Sequence, residues 1–264
     1  MSKRDRKEDD PAPDAATPGE EEDENEERKA GVTCTGLITT NQGDQMILWH
    51  SPFEEELGDH LTEHLGECEI VMHAPLLGMH VYTFAPNPTR DAWALVTMGL
   101  SGFVMPFPPE ADEEDQPDLE PLRRAELLMY VEPSWHPNES QWPVHVLRDI
   151  AAYIVGNERF VSRTHGLANF AAVGEPYVEG GNLCFAVVSD EVHETEDFYE
   201  FVGVNPHTGE ECAVQLLNVV GLTAEEYAVK AAKRYDGIAP WIRWGSDIDL
   251  VWRNNRPTCA FAPK

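Results

Sequence analysis

Residues 92–109 read AWALVTMGLSGFVMPFPP, 18 positions without a charge, and the interpretation of this run decides the fold. Its length approaches the roughly 20 apolar residues of a membrane-spanning helix. Gly99, Gly102, Pro106, Pro108 and Pro109 interrupt it, and proline inside a helix removes a hydrogen bond and clashes with the preceding turn. The run therefore predicts a buried strand at residues 93–98 that gives way to an irregular loop.

The flanking sequence has the same character. Short runs rich in β-branched, aromatic and other apolar residues at 69–73, 79–84 and 126–131 are separated by proline-bearing turns and predict further strands. Before them, Phe53, Leu57, Leu61 and Leu65 recur every fourth residue and predict a helix stopped at Gly66. Order begins near Val32, with a hairpin of residues 33–40 and 45–49 around Asn41, Gln42, Gly43 and Asp44. Residues 110–120 hold seven acids in eleven positions and predict a solvated loop. Pro143 stands where a first helical residue belongs, and Leu147, Ile150, Ala151 and Ile154 share one face of the helix it starts. Strands are predicted again at 182–189 and 212–217, then a helix to Lys233 opened by the capping box Thr223 to Glu226, then a final strand at 247–253. Helices punctuate groups of strands without regular alternation, so the fold class is α+β, with mixed β-sheets and packed helices.

Composition limits what such a domain can do. The chain has 264 residues, with 48 Asp and Glu against 19 Lys and Arg, a net charge of −29. Residues 1–30 carry 12 acids and 6 bases, which leaves 36 and 13, a net −23, on residues 31–264. The first segment has almost nothing apolar to bury and is expected to be a disordered acidic tail. Residues 31–264 are expected to form one folded domain. A nucleic-acid backbone or an anionic membrane surface is thereby excluded as a direct partner, whereas a basic protein would be steered in. Salt adaptation is the competing account of the acidity, since only 6 of the 19 bases are lysine. Cys34, Cys68, Cys184, Cys212 and Cys259 are odd in number and never in a C-x-x-C pair, which argues against a zinc ribbon or a disulfide framework and for a reducing cytoplasm. Residues 1–27 contain no apolar stretch of the kind a secretory signal needs.

No cofactor motif is present: neither a phosphate-binding P-loop nor G-x-G-x-x-G occurs, and Gly99 to Phe103 lacks the closing glycine of G-x-S-x-G. The sharpest catalytic pattern is His60, Glu63 and His64, an H-x-x-E-H arrangement. Histidines at i and i+4 of a helix can share a zinc ion, with Glu63 left to act as base on a bound water, which would make the chain a metal-dependent hydrolase. The same two histidines also flank the apolar stripe of their helix, a place where amphipathic side chains commonly sit. Glu126 lies inside an apolar strand and needs a partner, for which Arg124 and Arg148 are the candidates.

Residues 95–101 read LVTMGLS, residues 124–130 read RAELLMY and residues 164–169 read THGLAN. With the blocks around them they resemble the Suppressor of fused domain family in its bacterial form. Residues 95–101 are similar to the family's LVTSGMS. Residues 124–130, RAELLMY, with Pro133, Ser134 and Trp135, are similar to YAELMLxLPPDW. Trp142, Pro143, Val144 and Leu147 resemble the WPxxLLxxLA helix, and residues 164–169, THGLAN, resemble GHTxPN. Asn182, Leu183 and Cys184 and residues 221–226 fall where the family has KLCG and PLYxEE. In order, these blocks cover about residues 50–260. Gly102 stands where the family has Asp, Ala168 replaces a proline and Gly221 replaces another. The resemblance implies an α+β fold of two closely associated subdomains, no catalytic activity and no cofactor. It also implies a protein-binding role: the animal member adds an extended peptide of a transcription factor as a strand between its subdomains, and bacterial members are thought to include immunity proteins against toxins. Ser101, Glu126, His165 and Asn169 are the polar positions shared with the family. They are expected to form either a buried polar network or the rim of a protein-binding cleft, with a basic toxin domain as the kind of partner to be sequestered.

Overall fold

The computed structural model describes residues 34–39, 45–49, 51–74, 79–170, 172–195 and 197–260. The acidic tail predicted at 1–30 and the turn of the first hairpin lie outside them. Strands β1 (Cys34–Thr39) and β2 (Gln45–Trp49) pair antiparallel with Thr39 opposite Gln45. Helix α1 (Glu54–Leu65) buries Leu57, Leu61 and Leu65, the predicted stripe. Each contributes on the order of 1.5–3 kcal/mol of burial. It ends at Gly66, where φ is 94° and the amide donates to the Thr62 carbonyl at 3.0 Å. Only glycine takes that backbone angle without strain.

Strands β3 (Cys68–Ala74), β4 (Met79–Phe84) and β5 (Trp93–Met98) form an antiparallel meander that continues into β6 (Ala125–Val131). Every residue of β5 and β6 is buried. That is why the charge-free run does not alternate: both faces of these strands meet core. Between them, the acidic stretch contains a four-residue helix, α2 (Gln116–Leu119), where the sequence predicts only loop. Pro117 in its first turn brings a preset φ, and none of its residues is buried.

Helix α3 (Trp142–Gly156) starts one residue before the predicted Pro143, which stands in its first turn, and buries Leu147, Ile150, Ala151 and Ile154. Strands β7 (Gly166–Ala168), β8 (Phe185–Ser189), β9 (Glu200–Val204) and β10 (Glu211–Leu222) follow, then α4 (Ala224–Lys233) and β11 (Val251–Trp252). The Thr223 capping box is present: its hydroxyl accepts from the Glu226 amide and the Glu226 side chain accepts from the Thr223 amide. β10 runs five residues past the predicted end. Gly221 lies in that extension, and a Cβ there would come within 2.8 Å of Leu183 and 3.0 Å of the Trp252 ring. The final strand is two residues long rather than the predicted seven. Asp249 accepts from the amides of Gly245 and Val251, and Ser246 bonds around the Arg243 turn, so these side chains take backbone groups that a ladder would need.

Nine strands form one mixed sheet in the order β3-β4-β5-β6-β10-β8-β7, with β11 on β6 and β9 on β10. The β3–β6 meander meets the β7–β10 group at a parallel seam, where Ala125 to Leu128 lie against Gln215 to Asn218. Along the other side of β10, β8 and β9 lie end to end: Ser189 is opposite Asn218 and Glu200 opposite Gln215, with residues 190–195 and 197–199 outside both pairings. One sheet face packs Leu95, Leu127 and Met129 on Leu147, Ile150 and Ile154 of α3. The other packs Ala94, Val96, Leu128 and Tyr130 with Leu57, Leu61 and Leu65 of α1. The chain is thus α+β. No helix among the described residues is long and apolar enough to cross a membrane.

Candidate functional site

The β5–β6 ladder stops at Val96 and Leu128, and side chains replace it. The Thr97 hydroxyl accepts from the Leu127 amide at 2.7 Å and donates to the Glu126 carboxylate at 2.6 Å. Glu126 also accepts from the amides of Gly99 at 2.9 Å, Leu100 at 3.2 Å and Ser101 at 2.9 Å. The carboxylate therefore caps the turn at Leu100–Gly102 as an N-cap residue would cap a helix. Gly99 makes the bend with φ at 120°. Glu126 is fully buried, and burial pushes its carboxyl up to about 7, against the opposing pull of the hydrogen bonds from Thr97, Ser101 and Gly99. Its partners are not the predicted arginines. Arg124 donates to the Ser101 carbonyl and Arg148 pairs with Asp149, because the turn already satisfies both oxygens of Glu126. The Ser101 hydroxyl continues the network to Ser51, which accepts from the Phe53 amide at the start of α1.

Two further buried groups hold the surface around the seam. Arg90 donates to the carbonyls of Ala85, Ala92 and Leu65, the last at the C-terminal end of α1, and pairs with Glu194 at 3.4 Å. The Tyr130 hydroxyl donates to Glu194 and accepts from the His193 amide. The stretch that holds His193 and Glu194 is therefore tied to β6. Farther along, Arg256 and Glu226 form a buried bidentate pair at 2.6 and 2.5 Å, and Glu226 also accepts from the Cys259 amide.

β9 alternates in exposure. Phe201 and Gly203 face inward, with Phe201 edge-on to Phe53 at 6.2 Å, while Glu200, Val202 and Val204 face outward. Val202 is 56% and Val204 48% exposed. Among the described residues, β9 pairs with β10 alone. Its other edge offers main-chain donors and acceptors beside an apolar stripe, and exposed Glu200, Glu210 and Glu211 surround it. Tyr199 and Glu200 also line a cavity of about 260 Å³ together with Leu122, Val161, Arg163 and Leu217.

Of the four polar positions, Ser101 and Glu126 lie together in the buried network. His165 is exposed, bonded to Ser162 at 3.0 Å, and lines a second groove of about 600 Å³ with Phe107, Tyr153, Phe160 and prolines 106, 108 and 109. The two hollows share Val161 and Ser162. Asn169 is buried and donates to the carbonyls of Glu175 and Pro176, which pins the loop before β8. The β9 edge had no sequence signal beyond the alternation of Glu200 to Val204, which is broken by Gly203.

His60 shares a hydrogen bond with the Phe198 carbonyl at 3.0 Å, and its ring lies parallel to Phe198 at 5.9 Å and tilted to Phe201 at 5.5 Å. His64 packs 5.4 Å from Phe198, and Glu63 is exposed. Among the described residues, no group of three His, Cys, Asp or Glu side chains is placed to hold a metal ion.

Comparison with known proteins gives a family. The model of the Suppressor of fused protein family matches residues 76–257. The structure of a Sufu–Fu complex superposes with a TM-score of 0.53 at 14% identity, over 80% of this chain and 92% of that one. A Suppressor of fused homologue from Neisseria gonorrhoeae matches with a TM-score of 0.49 at 14% identity, over 80% and 98%. Drosophila Suppressor of Fused matches with a TM-score of 0.38 at 14% identity, over 67% and 41%. No curated protein matches the sequence.

Proposed function

This chain belongs to the Suppressor of fused protein family, and from that premise we propose that it is a non-enzymatic module that binds an extended segment of a partner protein along β9. Sufu has been solved in complex with Fu, so protein binding is an activity of a family member. The observation that carries the reading is the outer edge of β9, where Val202 and Val204 stand exposed beside the cavity that Tyr199 opens. An added strand takes its affinity from main-chain hydrogen bonds and its selectivity from pockets for alternate side chains. The surrounding glutamates favour a basic segment, and the net charge raises its encounter rate. A cationic toxin domain, neutralised by an immunity protein of this kind in the cytoplasm, fits that chemistry.

The test is co-purification at low salt of the full chain with proteins expressed from its source cell or its neighbouring genes, repeated with Val202→Pro and with Val202→Lys. Proline cannot donate from the strand and lysine repels a basic segment, so both variants are expected to lose the partner while retaining the parent's melting temperature within a few degrees. A partner bound equally well by the parent and both variants would place binding elsewhere on the molecule.

A further inference from the structure

At the far edge of the sheet, His73 on β3 and His80 on β4 stand directly opposite each other in the antiparallel register. Their Nδ1 atoms are 2.9 Å apart, with ring centroids at 4.8 Å and ring planes at 69°. A neutral pair in this arrangement has one Nδ1–H donating to the other Nδ1. The same separation suits a different occupant. Two nitrogens bound cis to one ion at about 2.0–2.1 Å lie about 2.8–3.0 Å apart if they subtend a right angle, and about 3.3–3.4 Å apart if tetrahedral.

We propose that His73 and His80 form a two-nitrogen chelate for a divalent transition ion of tetragonal preference, Cu(II) or Ni(II), on the β3–β4 hairpin. The ion accepts the Nδ1 lone pair of each ring. The proton that lay between them moves to Nε2 of its own ring, so both imidazoles stay neutral. Because the two residues are cross-strand partners, the backbone ladder sets their spacing before any ion arrives. The net −23 on residues 31–264 raises the local concentration of cations. The site is independent of the β9 edge and of His60 and His64.

Titration of the full chain with Cu(II) in a non-coordinating buffer, followed by electron paramagnetic resonance, is expected to show a tetragonal site with two imidazole nitrogens. His73→Ala and His80→Ala should each weaken it by at least about 10-fold, the loss that disturbing even an outer-sphere partner can cause. The double substitution of His60 and His64 by Ala should leave it unchanged. Substoichiometric Cu(II) should also broaden the amide resonances of β3 and β4 first in the parent protein, a readout that needs no variant. Undiminished affinity in both hairpin variants, loss on substituting His60 and His64, or first broadening elsewhere would overturn the assignment.

Discussion

Glu126 shows how one residue can hold two sequence blocks together. Thr97, Gly99, Leu100 and Ser101 come from one block and Glu126 from the other, and four hydrogen bonds on one carboxylate join them. An amide in its place would turn a donor toward some of the four donors, so Glu126→Gln is expected to cost about 2–4 kcal/mol in urea unfolding. The group also gives stability a pH dependence. Its carboxyl titrates near 7 in the folded chain against an ordinary 4.5, so between those values the native state holds the extra proton. Its contribution is full below about 4.5 and is lost as the pH rises toward 7. The parent should therefore show a falling component of stability across that window, and Glu126→Gln should lack it. At Arg256, Ala substitution strands the buried Glu226 carboxylate and should cost about 3–5 kcal/mol in the same measurement. Neither partner set was legible in the sequence. Glu126 stands out in the sequence as a charge in an apolar strand, but nothing local shows that a turn's main chain, rather than an arginine, answers it. Glu226 read as a capping residue, and its second role depends on a residue 30 positions away.

Elements divide according to how local their cause is. α1, α3 and α4 were legible because periodic apolar residues, Pro143 and the Thr223 box act within a few turns of chain. β4 and β5 were legible because β-branched and aromatic runs end at turn residues. β9 was missed: Gly203 and the surrounding acids hide a strand that exists because β10 is there to pair with it. Gly203 itself is required by packing, since a Cβ would meet the Phe201 ring at 2.7 Å and Phe53 at 2.9 Å. Gly203→Ala should thus lower the melting temperature, whereas Val202→Thr, outward on the same strand, should change stability by no more than about 0.5 kcal/mol. Thermal denaturation of the two variants side by side checks this contrast. At α4, Thr223→Ala removes the cap and should cost about 1 kcal/mol.

For the whole molecule, charge is the property that reaches farthest. At a net −29 the folded chain repels itself, and added salt should raise its melting temperature by screening. The same salt should slow association with a basic partner. If acidity serves steering, the association rate should fall by about 10-fold or more between low and physiological ionic strength. If it serves salt adaptation alone, stability should climb toward molar KCl while partner binding stays insensitive to charge reversal of Glu210 and Glu211. Stopped-flow association and calorimetry over one salt series separate the two.

The sequence by itself determined the three longer helices α1, α3 and α4, the buried central strands, the α+β class and the acid balance, because periodicity, capping and composition are properties of neighbouring residues. The family resemblance was carried the same way, by short blocks in order. Tertiary structure alone decided which side chains satisfy Glu126, that β8 and β9 share one side of β10, that Ser101 is buried while His165 lines a groove, and that His73 meets His80. Each of these depends on pairing between segments far apart in the chain. Where two strands register, and which edge is left without a neighbour, is set by the packing of both sheet faces at once.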